Sequence, residues 1–160
     1  MEENYPFTGT GNLYNFASGL TKIKIQNKII IVFDNDEVGI FSYKKCIDKL
    51  DSIPNLKFYH LPDMEEFNNF LTIGPTGEAC QDINGKAVSI ECFLDLFFDH
   101  DKSPKVRWTV YNDKSQKYQG ALIGKDEYTR IFKKSLCNDN YNKDKLFFLI
   151  NDIIDFWCNR

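Results

Sequence analysis

No stretch of the 160-residue sequence approaches the roughly 20 consecutive apolar residues that a bilayer-spanning helix requires, which excludes a membrane span as an organising element. The opening residues MEENYPFTGTGN carry neither a basic stretch nor the apolar core of a secretion signal, so a cytoplasmic protein without a membrane partner is expected. The five cysteines, Cys46, Cys80, Cys92, Cys137 and Cys158, are odd in number and include no CxxC pair. That pattern points away from a disulfide framework or a cysteine zinc site and toward reduced packing residues. Repeats, low-complexity tracts and Pro/Gly/Ser linkers are also lacking, so one domain over 1–160 is expected. Net charge is small, −3, so any contact with nucleic acid needs a local basic patch. What the sequence does have is apolar mass: 42% hydrophobic residues with 14 Phe and 8 Tyr, the composition of a folded chain with one full core.

The chain alternates helical and extended patterns. Leu13, Phe16, Leu20 and Ile23 fall on one face of an expected helix over 13–22, which Thr10 or Asn12 could cap. Lys28 to Phe33 is a continuous β-branched run that predicts a strand buried on both faces. A helix over 37–50, with Phe41, Ile47 and Leu50 inward, and a strand over 56–61 complete an expected βαβ unit. Residues 62–85 read as a long connection, punctuated by Gly74-Pro75, Gly77 and Asn84-Gly85. Beyond it the periodicity of Ile90, Phe93, Leu94 and Phe97 predicts a helix over 87–98. The alternation around Val106, Trp108 and Val110, a turn, and Tyr118 to Leu122 predict a hairpin. Helices over 125–136 and 144–158 close the chain, the second carrying Leu146, Phe147, Ile150, Ile153, Ile154 and Trp157.

The residues with the sharpest chemistry are Asp34 and Asp36, in DNDEVG directly after the strand over 28–33. A carboxylate at the carboxyl end of a parallel strand stands where open α/β sheets bind ligands. If the chain is still extended there, residues two apart project to the same side and can share one hard cation. Gly39 then lets the chain turn tightly into the next helix. The competing account is that the two acids merely cap that helix, although a cap needs only one of them. An EF-hand is excluded, because its fifth and twelfth positions would be Val38 and Lys45. A phosphate-transfer aspartate is usually followed by a Thr or Ser hydroxyl, and Val38 stands in that place.

The string IIIVFDNDEVGI, preceded by GTGNLYNFASGL, resembles the central part of the Toprim fold, the catalytic domain of topoisomerases, bacterial primases and overcoming-lysogenization-defect nucleases. The strings LPDMEEF, TIGPTGEACQDINGKAVSIECFLDL, VRW and YQGAL look like those of bacterial HEPN/Toprim-associated proteins, and the likeness covers about residues 1–136. It implies a Toprim-like, Rossmann-like α/β fold: a mainly parallel central sheet flanked by helices, with a β-hairpin and C-terminal helices. It also implies that Asp34 and Asp36 bind Mg2+ (or Mn2+) and that the chain takes part in cleaving or joining nucleic-acid phosphodiesters, in defence or nucleic-acid processing. A Toprim domain opens with a strand ending in a Glu. No apolar strand precedes residue 12, and Glu2 and Glu3 match that pattern poorly, so the sequence is expected to begin after that strand.

Glu91, flanked by Val88, Ile90 and Cys92, is the candidate for the missing catalytic acid; a helix-surface acid is the other reading. Asp63, Glu65 and Glu66 follow the second strand and are expected in a solvated loop. Lys105 and Arg107 could meet phosphate or lie with their stems on an apolar face. His60 is expected to be a core residue and His100 a solvated one. The rival to the catalytic account is a non-catalytic structural or protein-binding module of a larger chain.

Overall fold

Ile29, Ile30, Ile31 and Val32 are β-branched and favour extended chain, and with Phe33 they form strand β1 (Ile29–Phe33) in the computed structural model, which describes residues 10–23, 25–50, 53–99, 103–112 and 117–159. The architecture is mixed α/β, with two sheets and helices. The chain falls into two compact units, Met1–Asp34 with Val38–His60, and Asn35–Glu37 with Leu61–Arg160.

In the first unit, helix α1 (Thr10–Thr21) precedes β1, and helix α2 (Glu37–Lys49) carries the chain across to β2 (Leu56–His60). The two strands pair in parallel from Ile29↔Leu56 to Phe33↔His60, so the expected βαβ unit is present. Ala17, Leu20, Ile31, Phe33, Cys46 and Leu56 form its buried core. The Phe33 ring meets Tyr43 edge-on at 6.1 Å and lies 6.5 Å from Phe58. Two expectations need correction here. Ile31 and Phe33 are buried but Ile30 and Val32 only half-buried, and among the described residues β1 has one strand neighbour, so the parallel sheet has two strands. Helix α2 buries Gly39, Ser42 and Cys46, whereas Phe41 and Ile47 are more than half exposed. The small residues occupy the buried face, and at Gly39 the main chain of Asp34 comes too close for any larger side chain. Ile23, past the end of α1, is likewise exposed.

The second unit holds a four-stranded sheet in the order β4-β3-β5-β6. Strands β3 (Phe70–Gly74) and β4 (Gly77–Gln81) are an antiparallel hairpin, β5 (Val106–Asn112) pairs with β3 in parallel, and β6 (Lys117–Leu122) returns antiparallel to β5 with a register shift between Trp108 and Val110. The supposed connection 62–85 thus contains a 3-10 turn (Glu65–Asn69) and a hairpin. Its turn is Gly74-Pro75-Thr76-Gly77, where Gly77 adopts φ 103°, open to glycine without strain. Every residue of β4 is exposed, so no alternating pattern marked it.

The helix expected over 87–98 is not there. Ala87 and Val88 are engaged in backbone bonds, only Ile90–Phe93 form a 3-10 turn, and Ile90 and Phe97 are exposed while Cys92, Phe93, Leu94 and Leu96 are buried. The hairpin β5–β6 and helices α3 (Lys125–Ser135) and α4 (Asp144–Asn159) follow as expected. On α4 the buried residue is Leu149, while Phe147, Ile150 and Ile154 face solvent. No helix among the described residues is long and apolar enough to cross a membrane.

Candidate functional site

The extended run of β1 stops at Phe33, and the next three residues divide their work by position. Asp34 is half-buried at the strand's carboxyl end. Its carbonyl lies under α2 so tightly that a Cβ on Gly39 would stand 2.1 Å from the Asp34 oxygen, which only glycine avoids. The expectation that Gly39 permits a tight turn is met by this close approach, not by an unusual φ.

Asn35, 1% exposed, is the anchor. Its N–H donates to the Val88 carbonyl at 2.9 Å and its carbonyl accepts from Val88 N–H at 3.3 Å, an isolated antiparallel bridge. Its side-chain Nδ2 donates to Asp63 Oδ1 at 2.7 Å, so a buried amide is satisfied by a carboxylate. Asp36 is half-buried, directly precedes α2, and accepts a hydrogen bond from Gln119 Nε2 on β6 at 3.3 Å through Oδ2. Neither Asn35 as an anchor nor Gln119 was picked out from sequence. Asn35 had a signal, a neutral residue between two acids after a buried strand, whereas Gln119 arrives from 83 residues away and had none.

The remaining candidates have other partners. Glu91 lies in the 3-10 turn with its side chain 22% exposed and faces Lys125, whose Nζ is 3.6 Å from Oε2. Asp63 is engaged by Asn35, Glu66 pairs with Lys145 at 3.2 Å, and Glu65 is exposed. Lys105 pairs with Glu78, and Arg107 is exposed. His60 is half-buried and meets the Tyr43 ring edge-on at 4.8 Å; His100 lies outside the described residues. Among the described residues no three His, Cys, Asp or Glu side chains gather as a metal-binding group.

All five cysteines are free thiols, Cys46 and Cys92 buried and the other three exposed. Burial pushes the Cys46 thiol up against the opposing pull of Lys45, and pushes Cys92 up despite hydrogen bonding with Ser89. Both buried sulfurs are therefore poor nucleophiles.

The donors at Asp34 and Asp36 are hard carboxylate oxygens, the chemistry that suits Mg2+ or Mn2+ in preference to a soft metal. Comparison with protein-family models, with curated proteins and with solved structures finds no match for this chain.

Proposed function

We propose that this chain is a Toprim-like domain that binds Mg2+ or Mn2+ through Asp34 and Asp36 and takes part in cleaving or joining nucleic-acid phosphodiesters. The observation that carries this reading is the Asp34-Asn35-Asp36 segment at the carboxyl end of a parallel βαβ strand, with α2 starting immediately after it. The bridge of Asn35 with Val88 and the bond from its side chain to Asp63 fix the residue between the two aspartates, which supports this reading. When bound, the cation would polarise the phosphoryl oxygen and stabilise the attacking or leaving oxygen. The chain's own contribution would be the two carboxylates that ligate the ion.

The pairing of Glu91 with Lys125 favours a second reading, a binding module of the same fold without a catalytic acid. The measurement that tests the metal reading is calorimetric titration with Mn2+. Weak binding that Asp36→Asn weakens further is expected, because two carboxylates leave most of the coordination to water. Equal heats in the wild type and the double Asp34→Asn, Asp36→Asn variant would sink the metal site and with it the catalytic reading.

A further inference from the structure

Helix α4 carries more apolar surface than the chain covers. Among its described residues Leu149 alone is buried, whereas Phe147, Ile150 and Ile154 are 56%, 43% and 52% exposed. At about 100° per residue these three fall with the half-buried Trp157 inside an arc of about 80°. Asp144, Lys145, Asp152 and Asp155 lie outside that arc, so the stripe is uncharged, as the centre of a protein interface is. Phe148, also exposed, lies off it. A stripe this narrow, with steps of three, four and three residues, is the seam by which one helix packs along another.

The stripe also reads the same in both directions. From Phe147 forward and from Trp157 backward it runs aromatic, isoleucine, isoleucine, aromatic, with the same steps. A twofold axis relating two antiparallel copies of α4 therefore sets Ile150 against the partner's Ile154 and Phe147 against the partner's Trp157. An interface between identical chains needs a self-complementary patch of this kind. Antiparallel copies also bring the N-terminal end of each helix beside the C-terminal end of the other, which suits the helix dipoles.

The area fits a weak pair. An aromatic side chain carries about 150–250 Å², so the exposed parts of Phe147, Ile150 and Ile154 amount to roughly 300 Å² per copy. Two copies would cover roughly 600 Å² of apolar surface, which at the apolar share of about 65% found in homodimers implies about 900 Å² in all. The visible parts of Leu146, Ile153 and Trp157 extend this toward the roughly 1,000 Å² of a specific contact, short of the stable range that starts at about 1,200 Å².

We propose that α4 is a self-association surface, through which two copies of this chain pair by antiparallel packing of the Phe147, Ile150, Ile154 and Trp157 stripe. The inference is independent of the metal reading of Asp34 and Asp36.

The test is sedimentation equilibrium of the purified chain over a concentration series, with a reductant present so that the exposed thiols of Cys80, Cys137 and Cys158 form no cross-links. The wild type is expected to pass from monomer toward dimer between about 1 and 500 μM. Ile150→Lys and Ile154→Glu change side chains already half in water, so each variant is expected to melt near the wild type. Each is expected to associate at least about 10-fold more weakly, because it would bury charge in the seam. The double variant Ile150→Lys, Ile154→Glu sets opposite charges against one another across the twofold axis and is expected to recover much of the lost association. A wild type that stays monomeric at about 500 μM would overturn the proposal and leave the stripe to a different protein. Unchanged association in both single variants would overturn it as well, since the copies would then meet elsewhere. A double variant no better than the single ones would overturn the antiparallel pairing, because in a parallel pair each position faces its own copy.

Discussion

Gly39 shows how a single atom sets the site. In an exposed helix Gly→Ala would add about 1 kcal/mol of stability, but here the new methyl would stand 2.1 Å from a main-chain oxygen that no rotamer change can move. Overpacking of that kind costs about 1–3 kcal/mol, so the clash outweighs the propensity. Gly39→Ala is expected to lower the melting temperature by several degrees, about 2–4 °C for each kcal/mol lost in a chain of this size. An unchanged melt in differential scanning calorimetry would show that α2 can lift off Asp34 freely.

Asp82 gives a pH-dependent counterpart. Burial acts to raise its pKa, but hydrogen bonds from Lys86 and Asn84 and the Lys86 charge outweigh it, and the carboxyl is held below the usual range. A depressed folded-state value contributes stability above the unfolded pKa of about 4, and that contribution is lost as pH falls through the lower folded value. The pair is nearly half exposed on the Asp side, so its worth is at most about 1 kcal/mol. Asp82→Asn should therefore melt below the wild type at pH 7, with the gap closing below about pH 4. At this scale the sequence displayed the acids and hid their partners. Asp34 and Asp36 were visible from strand and spacing, but Asn35–Asp63, Asp36–Gln119 and Glu91–Lys125 join residues far apart in the chain, which no local pattern encodes.

Elements whose length and period agreed with their packing were legible. The βαβ unit, the hairpin β5–β6 and helices α1, α3 and α4 all formed near their expected bounds. The failures have more than one physical source, and the first is tertiary hydrogen bonding that overrode an apolar period. Ile90, Phe93, Leu94 and Phe97 have helical spacing, but Val88 is committed to Asn35 and the segment becomes a single 3-10 turn. Hairpin β3–β4 was missed because an exposed strand such as β4 needs no alternation. The strand β1 carries a sharper prediction. Ile31 is 5% exposed, and a charge there without a partner costs several kcal/mol, comparable with the stability of a whole domain. Ile31→Asp should abolish the cooperative melt of the first unit. A cooperative transition at the wild-type temperature would mean that β1 tolerates solvent on its buried face.

For the whole molecule, the charge balance limits how nucleic acid could be held. A net −3 gives no general attraction to phosphate, and among the described residues the exposed cations of the second unit include Arg107 on β5 with Lys133 and Lys134 on α3. Neutralising two or three phosphates would give a shallow salt dependence, a slope of about −2 to −3 in log affinity against log salt. Cleavage by this chain is expected to be slow, because Glu91 is paired with Lys125 and a missing general acid or base costs about 100-fold to 10,000-fold in rate. Any Mg2+-dependent cutting of labelled DNA or RNA should disappear in Asp34→Ala without loss of the fold. Cutting at the wild-type rate in that variant would show that Asp34 takes no part in cleavage and would end the catalytic reading of the aspartate pair.

The two kinds of strand pairing also set an order in time. Hairpin β3–β4 closes through Pro75 and Thr76 alone, whereas β1 meets β2 only after α2 has carried the chain from Ile29 to Leu56. A local hairpin forms in about 1–10 μs, and a parallel pairing must first bear the entropy of its long loop. During refolding, amide protection should thus appear on Thr72 and Ile73 before Ile31 and Val32, so the strand that presents the aspartates is completed after the hairpin has formed.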